Sequence, residues 1–384
     1  MAIVRASRIV SAPAHFILAL HVVVTVLGCL TRHASAWWDA GHMLTVSIAK
    51  YRVEKEVAEK AERLIEASIF AQEIADVPSL NLVSAAHWAD NVKLLKAMVL
   101  SPSKSYVDYA SNRYMQMHFW NLPLDGPDGF KCTMEPPTGD FNVVTALSAM
   151  EKIITDRSVP EWSRGVALRF YIHFAGDIHQ PLHVATRCSE SLPAGDAGGN
   201  QFLLKGEYGN LHKVWDAAGG KFRDLEALCP FTDPATCSKN EAHRVTAVNA
   251  AAQRLIKQNE GTLASVHTEA LGSYMDWAMD SKLLAEAYAY VNITEGTTPS
   301  AEYLHTVQTI STEQIVKGGE RLALCLTNLL GNKNETTFFE VVTIVAIAGS
   351  ALSAITCFAV SIYTTFAARG KARRAMLSEY TELP

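Results

Sequence analysis

The sequence has no surplus of positive charge and little strand-like alternation. Its 384 residues carry 34 Lys and Arg against 39 Asp and Glu, which gives a formal net charge of −5. This balance argues against a broad basic surface that would hold nucleic acid, so any such activity must depend on a local pocket. The scarcity of alternating patterns argues against a mainly β fold; Gln201 to Lys213, which contains the turn-rich segment GEYGN, is the stretch that suits a short hairpin.

Cysteine is also sparse. Of seven cysteines, Cys29 and Cys357 lie in apolar terminal runs. The other five are Cys132, Cys188, Cys229, Cys237 and Cys325. An odd number allows at most two disulfides and leaves one thiol, in a pattern compatible with an oxidising compartment. Cys229 and Cys237 are close enough to close a small loop, but the sequence leaves the pairing open.

The first long apolar run predicts a secretory signal peptide over residues 1–36. Arg5 and Arg8 precede an apolar stretch from Phe16 to Leu30, and Ala34-Ser35-Ala36 follows. Small residues at this spacing indicate cleavage before Trp37. An uncleaved anchor is the alternative.

The second apolar run, residues 341–368, predicts a transmembrane helix. It contains 28 residues without a charge and is followed at once by basic residues. A bilayer needs about 20 apolar residues, and basic residues mark the cytoplasmic side. We therefore expect an ectodomain over 37–330, a juxtamembrane stalk over 331–340 and a cytoplasmic tail over 369–384. A GPI-attachment signal is the weaker alternative, because it would leave no charged tail.

Two shorter patterns agree with this topology. Asn292 and Asn334 begin glycosylation sequons on the predicted outer side. In the tail, Tyr380 to Leu383 resembles a tyrosine-based sorting signal.

Apolar residues recur at three- and four-residue steps through most of the ectodomain, which predicts one mainly helical domain. The predicted helices cover 45–68, about 79–100, 142–156, 161–180, 241–259, 262–291 and 312–330.

The segment HFAGDIHQPLH, residues 173–183, predicts a metal site. His173 and Asp177 are four residues apart and project from one face of a helix. Pro181 then ends the helix, so that His183 comes from another direction and suits a second metal. Imidazole and carboxylate ligands together favour zinc over calcium or magnesium. The alternative is a buried helix whose histidines are merely hydrogen-bonded.

Further candidate ligands lie along the ectodomain. His212 and Asp216 repeat the four-residue spacing. Asp90 ends an apolar helical stretch, His118 lies among aromatic and sulfur-containing side chains, and His42 lies five residues into the mature chain if cleavage falls before Trp37. Cleavage before Trp37 would add a free α-amino group, which deprotonates readily near a dication.

Together these residues resemble the zinc-dependent single-strand nucleases of fungi and plants and the membrane-anchored 3′-nucleotidase/nucleases of trypanosomatid parasites. The segments that carry the resemblance are WxxxGH, WAD, HF, HFxGDxxQPLH, GGN and NLHxxWD, which appear in family order between Trp37 and about Leu326. The signal, single span and short basic tail make the parasite branch the closer likeness.

The resemblance implies a largely helical fold of the zinc phospholipase C and single-strand nuclease type, with three zinc ions in a cleft. One zinc would be held by Asp90, His118, His173 and Asp177. The second would be held by His183, His212 and Asp216. The third would be held by the Trp37 amino nitrogen and carbonyl oxygen, His42 and Asp177, so that Asp177 bridges two metals.

The resemblance also implies the reaction and its further residues. Asp90 would orient the water that attacks phosphorus, and a nearby zinc would stabilise the departing 3′-oxygen. Phe119 would stack an unpaired base, and the glycines before Asn200 would let the backbone approach phosphate. The substrates would be 3′-nucleotides and single-stranded RNA or DNA, with purine salvage at the cell surface as the role.

Two positions depart from the fungal pattern. Asn121 replaces an aspartate, which removes a charge from the expected base contact. Lys93 replaces an arginine, so it would meet phosphate as a point charge and not bidentately. His87 and His179 fill no family position and are interpreted as structural.

Two other functions remain open at this point. A bacterial-type zinc phospholipase C shares the amino-terminal tryptophan and the three-zinc arrangement. A zinc-stabilised adhesion or receptor domain without catalysis is the alternative from another class, although a purely structural zinc has a closed four-ligand shell.

Overall fold

Two buried helices, Asp39–Arg52 and Glu161–Asp177, carry histidine and aspartate side chains into the interior of the fold. The computed structural model describes residues 37–68, 81–94, 114–137, 141–228, 234–268 and 271–331. Helix α1, Asp39–Arg52, is buried continuously from Ala40 to Ala49. Such a helix has no solvated face and must be covered by other helices on all sides.

The other helices follow in chain order. They are α2 (Lys55–Ala67), α3 (Trp88–Leu94), α4 (Val143–Thr155), α5 (Glu161–Asp177), α6 (Leu211–Asp216), α7 (Arg223–Glu226), α8 (Pro234–Gln258), α9 (Glu260–Thr268), α10 (Tyr274–Leu284) and α11 (Ala301–Leu330). Single 3₁₀ turns cover Ser84–His87, Pro127–Gly129, Pro181–His183 and Ala218–Gly220, and a π turn covers Ala285–Ala289. Helix α1 packs against α8 and α11, and α5 packs against α2 and α4. The mainly helical prediction is therefore confirmed.

Helix α5 ends where the sequence places its chain-breaking residues. The helix stops at Asp177, and Gln180 is extended with φ −86° and ψ 117°. Pro181 cannot donate a backbone hydrogen bond and begins a separate 3₁₀ turn that ends at His183. His183 therefore enters the interior from a different direction than His173, as predicted.

Strand pairing is limited and differs from the prediction. Strands β1 (Leu122–Leu124) and β2 (Ala185–Arg187) form a parallel pair. This pairing joins distant segments of the chain, and no local sequence pattern predicts it. Of the hairpin predicted over Gln201–Lys213, the structure forms only one antiparallel bridge, between Leu203 and Asn210. The rest of that prediction is wrong. The Asn210 side chain instead accepts a hydrogen bond from the Lys213 N–H and caps α6, so Leu211 onward is helical.

Some predicted helices divide at turns that apolar periodicity does not detect. The predicted helix 45–68 breaks between Arg52 and Lys55. The predicted helix 262–291 breaks before Tyr274, where Gly272 has a φ of +71° and Ser273 forms a capping box. The last helix begins at Ala301, eleven residues before the predicted start.

One disulfide joins the two strand-bearing segments. Cys132, after β1, bonds to Cys188, which directly follows β2, with 5.4 Å between their Cα atoms. Cys237 is also disulfide-bonded, and its partner lies outside the described residues. Cys325 is a buried free thiol. This agrees with the predicted leftover thiol.

The predicted signal, transmembrane segment and tail lie outside the described residues, as does Asn334. Within the described ranges, no helix has the length and apolar character to cross a membrane. Asn292 is exposed and has a left-handed backbone with φ 57°.

Candidate metal centre

The predicted ligands converge into three buried clusters. Their potential ligand atoms lie within 4.8 Å of one another in each cluster. The clusters are His42, His173 and Asp177; Asp90, His118 and His173; and His183, His212 and Asp216. Sequence spacing alone had joined only His173 to Asp177 and His212 to Asp216.

The first cluster forms where α1 meets α5. The His42 ring stacks on the His173 ring with 3.8 Å between centroids, and His42 Nε2 lies 3.6 Å from Asp177 Oδ1. This approach depends on Gly176, because a Cβ there would lie 2.6 Å from His42 Nδ1. The glycine of the HFAGD segment therefore makes room for a ligand from another helix.

The second cluster shares His173 with the first and lies against the aspartate of the first. His118 Nδ1 lies 2.9 Å from Asp177 Oδ2 and 3.1 Å from His173 Nε2. Asp90 Oδ1 lies 3.4 Å from His173 Nε2. The two carboxylate oxygens of Asp177 thus face different sides, with Oδ1 toward His42 and Oδ2 toward His118.

The third cluster combines the 3₁₀ turn after α5 with helix α6. His212 Nε2 lies 3.5 Å from Asp216 Oδ2, and His183 Nε2 lies 3.9 Å from Asp216 Oδ1. The rings of His183 and His212 stack with centroids 5.1 Å apart. His183 Nδ1 is also 3.6 Å from Asp177 Oδ1, which links this cluster to the first.

Backbone carbonyls fix the orientation of the histidine rings. The Nδ1 atom of His173 bonds to the Ala86 carbonyl at 2.7 Å, that of His183 to the His118 carbonyl at 2.8 Å, and that of His212 to the Gly198 carbonyl at 2.6 Å. Nδ1 must therefore donate, which leaves Nε2 as the ring nitrogen that can bind a metal in the cluster. Such partners set the tautomer of metal-binding histidines.

Gln180 and Gly198 position the third cluster, a role that sequence reasoning missed. Gln180 Nε2 donates to Asp216 Oδ1 at 2.7 Å, and its Oε1 accepts from the Leu182 N–H at 2.6 Å. Gly198 has a φ of +65°, and a Cβ there would lie 2.3 Å from the Leu182 carbonyl oxygen. Both residues stand inside motifs that the sequence had singled out, but neither is a zinc ligand type, so only their contacts identify them.

Unsatisfied buried atoms indicate that the centre fits a cation. Among the described residues, neither ring nitrogen of His42 has a hydrogen-bond partner, and neither does Asp177 Oδ1. Both side chains are fully buried. Buried polar atoms without partners cost about 1–3 kcal/mol each, so their concentration here implies a ligand. Imidazole and carboxylate donors fit zinc.

The protonation of the clusters points the same way. Burial alone would lower the pKa of His173, but the carboxylates of Asp177 and Asp90 raise it to about 10. Burial alone would raise the pKa of Asp177, but His173 and His118 hold it well below its usual range. Burial also holds the pKa of His42 well below its usual value. The carboxylates thus keep the neighbouring His173 protonated and positively charged. A dication that binds there would displace this proton and take over its positive charge.

The amino-terminal end of the described chain lies against the centre. Trp37 is fully buried, and its Nε1 donates to the Gly176 carbonyl at 3.0 Å. The Trp38 N–H donates to the Asp216 carbonyl at 2.8 Å. Residue 37 is therefore held between α5 and α6, beside the His42 cluster.

Buried charges fix the start of α1. Arg244 lies on α8, and its Nη2 atom is 3.2 Å from Asp39 Oδ2. Glu226 Oε1 accepts a hydrogen bond from the Ala40 N–H at 2.6 Å. Burial and Asp39 raise the pKa of Glu226 to about 7. These contacts hold the turn that carries His42.

The candidate substrate residues differ in how they are placed. Phe119 follows His118 and is half-buried, yet it belongs to none of the hydrophobic clusters of the described residues. The half-buried Asn121 amide makes no hydrogen bond to a described residue. The Asn200 amide bonds to the Ala197 carbonyl of its own loop at 2.9 Å. Lys93 lies in α3, and its side chain is outside what the structure describes.

The two histidines interpreted as structural lie outside the three clusters. His179 Nδ1 bonds to the Ala175 carbonyl at 2.7 Å, and its Nε2 accepts from Arg321 at 3.2 Å. His87 Nδ1 accepts from the Asn91 amide at 2.7 Å. Burial lowers the pKa of His87 to about 4, despite the nearby Asp39 carboxylate, so it is neutral near pH 7.

The fold and the site together define a mainly helical protein with buried histidine–aspartate clusters that could hold metal ions. The chain belongs to the S1/P1 nuclease family, whose model matches residues 37–331. The protein is therefore a phosphoric ester hydrolase, and the resemblance of the motifs to the fungal and plant nucleases is confirmed at the level of this family. The closer likeness to the trypanosomatid branch stays a prediction.

Curated relatives match over most of their length. Endonuclease 4 of Arabidopsis thaliana is 29% identical over 315 residues, which cover 81% of this chain and 94% of the relative. Nuclease S1 of Aspergillus oryzae is 27% identical over 304 residues, covering 76% and 90%. Nuclease P1 of Penicillium citrinum is 25% identical over 306 residues, covering 77% and 99%.

Proposed function

We propose that the protein is a three-zinc enzyme that hydrolyses 3′-nucleotides to nucleoside and phosphate, and single-stranded RNA or DNA to 5′-phosphorylated products. The observation that carries this proposal is the pair of Asp177 oxygens, which face two donor clusters at once. A shared carboxylate would hold two dications close together, the arrangement that two-metal phosphoryl transfer uses. The family's nuclease relatives support the same reaction class.

The donor clusters accommodate three ions. The first zinc would take Asp90, His118, His173 and Asp177; the second His183, His212 and Asp216; the third His42, Asp177 and the amino nitrogen and carbonyl oxygen of Trp37. When bound, the metals would supply positive charge for the phosphoryl oxygens and acidify water near neutral pH. Asp90 is 5% exposed, more than any other proposed ligand, and its carboxylate would orient the attacking water.

The charge that attracts phosphate would come from this centre and not from the protein surface. The chain carries a formal net charge of −5. Three dications against the carboxylates of Asp90, Asp177 and Asp216 leave a positive site in an acidic protein. A cleft of this kind concentrates anionic substrates locally. Lys93 would add a point charge on the phosphate.

Phe119 and Asn121 would recognise the base. Phe119 is anchored by the neighbouring ligand His118, and its half-buried ring lies outside the hydrophobic core, which leaves a face for stacking. The Asn121 amide would bond to the base edge, and Asn200 would contact phosphate. A base can stack on Phe119 only when it is unpaired, which explains a single-strand preference.

We also infer that the enzyme acts outside the cell, attached by the segment 341–368, as in the trypanosomatid branch. The signal pattern before Trp37, the sequons at Asn292 and Asn334, and the disulfide Cys132–Cys188 support this topology. Release of nucleosides at the surface would serve purine salvage.

Phosphate release by the 37–330 ectodomain tests the reaction. Zinc-loaded protein is assayed on 3′-AMP, 5′-AMP and a single-stranded oligonucleotide, with and without chelator. We expect chelator-sensitive release from 3′-AMP, none from 5′-AMP, and 5′-phosphorylated fragments from the oligonucleotide. Hydrolysis of phosphatidylcholine in place of nucleotides would favour the phospholipase alternative, and no hydrolysis by fully loaded protein would favour a binding domain.

The amino-terminal ligand has a separate test. Two or three residues placed ahead of Trp37 would remove its free amino group from the His42 cluster. We expect one zinc fewer per chain and a loss of activity. An extended protein with three zinc ions and full activity would exclude the α-amino ligand.

A further inference from the structure

We propose that the Trp38 indole is a second nucleobase-stacking surface, which binds the nucleotide on the other side of the scissile phosphate from the base at Phe119. Trp38 would therefore set the preference for nucleic-acid chains over 3′-nucleotides. This inference rests on the proposed function and deepens it.

The backbone of Trp38 is fixed by the metal centre. Its N–H donates to the Asp216 carbonyl at 2.8 Å, and its carbonyl accepts from the N–H groups of Gly41 at 2.8 Å and His42 at 3.5 Å. Asp216 and His42 belong to different ligand clusters. The Trp38 backbone thus connects residues of two ligand clusters.

The Trp38 side chain is exposed where its neighbours are not. Trp37 and the helix from Ala40 to Ala49 are buried, whereas Trp38 is 36% exposed. An indole is the largest apolar side chain, and leaving a third of it in water forgoes burial energy. A large aromatic surface that is held rigidly and left open beside a binding site fits a stacking role.

Tyr208 supports the indole from one side. The two ring centroids are 6.3 Å apart at an angle of 42°, and Tyr208 is only 7% exposed. The Tyr208 hydroxyl accepts from Arg223 at 3.4 Å, which holds the ring in place. The indole is therefore backed by a fixed ring and presents its remaining surface to solvent.

Trp38 and Phe119 reach the centre from different segments of the chain. Phe119 directly follows His118, whose carbonyl bonds to His183, whereas Trp38 is bonded to Asp216 and His42. A phosphodiester has a nucleoside on each side of its phosphorus, but a 3′-nucleotide has only one. Two stacking surfaces therefore suit a chain, and the second surface is superfluous for a 3′-nucleotide.

The test compares two substrates across three variants. Trp38→Ala removes the indole but keeps the backbone bonds, and Trp38→Phe keeps a smaller ring. Trp162→Ala is the matched control, because Trp162 is 51% exposed and lies at the start of α5, eleven residues before His173. Each full-length or ectodomain protein is zinc-loaded, checked for zinc content and thermal midpoint, and assayed on a single-stranded oligonucleotide and on 3′-AMP.

Stacking is worth about 1–3 kcal/mol per base, so we expect the KM for the oligonucleotide to rise about 5- to 150-fold in Trp38→Ala. Trp38→Phe should recover part of that loss, and the kinetics on 3′-AMP should stay within about twofold of wild type. Trp162→Ala should behave as wild type on both substrates.

Three results would overturn the inference. An unchanged KM for the oligonucleotide in Trp38→Ala would show that no base stacks there. Equal losses on both substrates, with lower zinc content, would assign Trp38 to holding the centre instead. A wild-type protein that hydrolyses neither substrate would remove the proposed function itself, whereas an active wild type with an unaffected Trp38→Ala variant would remove only the second stacking surface.

Discussion

Replacing Gln180 by leucine should weaken the third ligand cluster without removing any ligand. Gln180 is fully buried and makes two hydrogen bonds, to Asp216 Oδ1 at 2.7 Å and from the Leu182 N–H at 2.6 Å. Leucine has a similar volume, so the change removes the bonds and leaves the packing close to native. The Asp216 carboxylate then loses the partner that orients it toward His183 and His212.

The size of the effect follows from these two bonds. A hydrogen bond to a charged group contributes about 1.5–3 kcal/mol, and losing an orienting partner of a metal ligand costs about 10–100-fold in metal affinity or activity. Since tenfold corresponds to about 1.4 kcal/mol, the two figures agree. The substitution also leaves the buried Leu182 N–H without its acceptor, which should lower the free energy of unfolding by about 1–3 kcal/mol.

Zinc affinity is measured by competition with a chelator, together with kcat and KM on 3′-AMP. Gln308→Leu is the matched control, because Gln308 makes one hydrogen bond, to the Gly219 carbonyl at 2.9 Å, away from the ligands. We expect one of the three proposed zinc ions to bind about 10–100-fold more weakly in Gln180→Leu and not in Gln308→Leu. Equal zinc affinity in the two variants would refute the positioning role of Gln180.

Three further predictions concern single residues. Asp177→Asn removes the shared negative charge and should abolish activity and lower bound zinc; full activity would exclude a bridging role. Gly198→Ala places a Cβ 2.3 Å from a carbonyl oxygen and should lower both activity and zinc content, whereas Gly209→Ala, at a φ of +76° with open space around it, should only lose stability by about 1–2 kcal/mol in urea unfolding. His87 has a pKa of about 4 when folded and about 6.5 when unfolded, so its contribution to stability is present above pH 6.5 and is lost as pH falls. Between pH 7 and pH 5 the loss should be about 2 kcal/mol, and His87→Phe, which cannot titrate, should show that much less pH dependence in its free energy of unfolding.

Local patterns predicted the helical class because they depend on short-range chemistry. Apolar periodicity located most helices, and Pro181 marked the break after α5, since both signals act within a few residues. Periodicity missed the break at Gly272–Ser273, where a left-handed glycine and a capping box act together. It also mistook the start of α6 for a strand, because the cap at Asn210 outweighs the apparent alternation.

The parallel pair of β1 and β2 could not be predicted from either strand. Each has only three residues, and their partners lie about sixty positions apart in the chain, as the Leu122–Ala185 register shows. The same is true of the disulfide: five candidate cysteines left several pairings open, and only the folded chain brings Cys132 next to Cys188.

The sequence by itself determined the chemistry of the centre. The types and spacing of His173, Asp177, His212 and Asp216 predict a cation site, because side chains four apart on a helix share one face. Only the tertiary structure decided how those pairs combine. It stacks His42 on His173 across Gly176, turns the two oxygens of Asp177 toward different clusters, and bonds Gln180 to Asp216. These contacts join segments far apart in the chain, and the geometry of such contacts is set by packing, which no local pattern encodes.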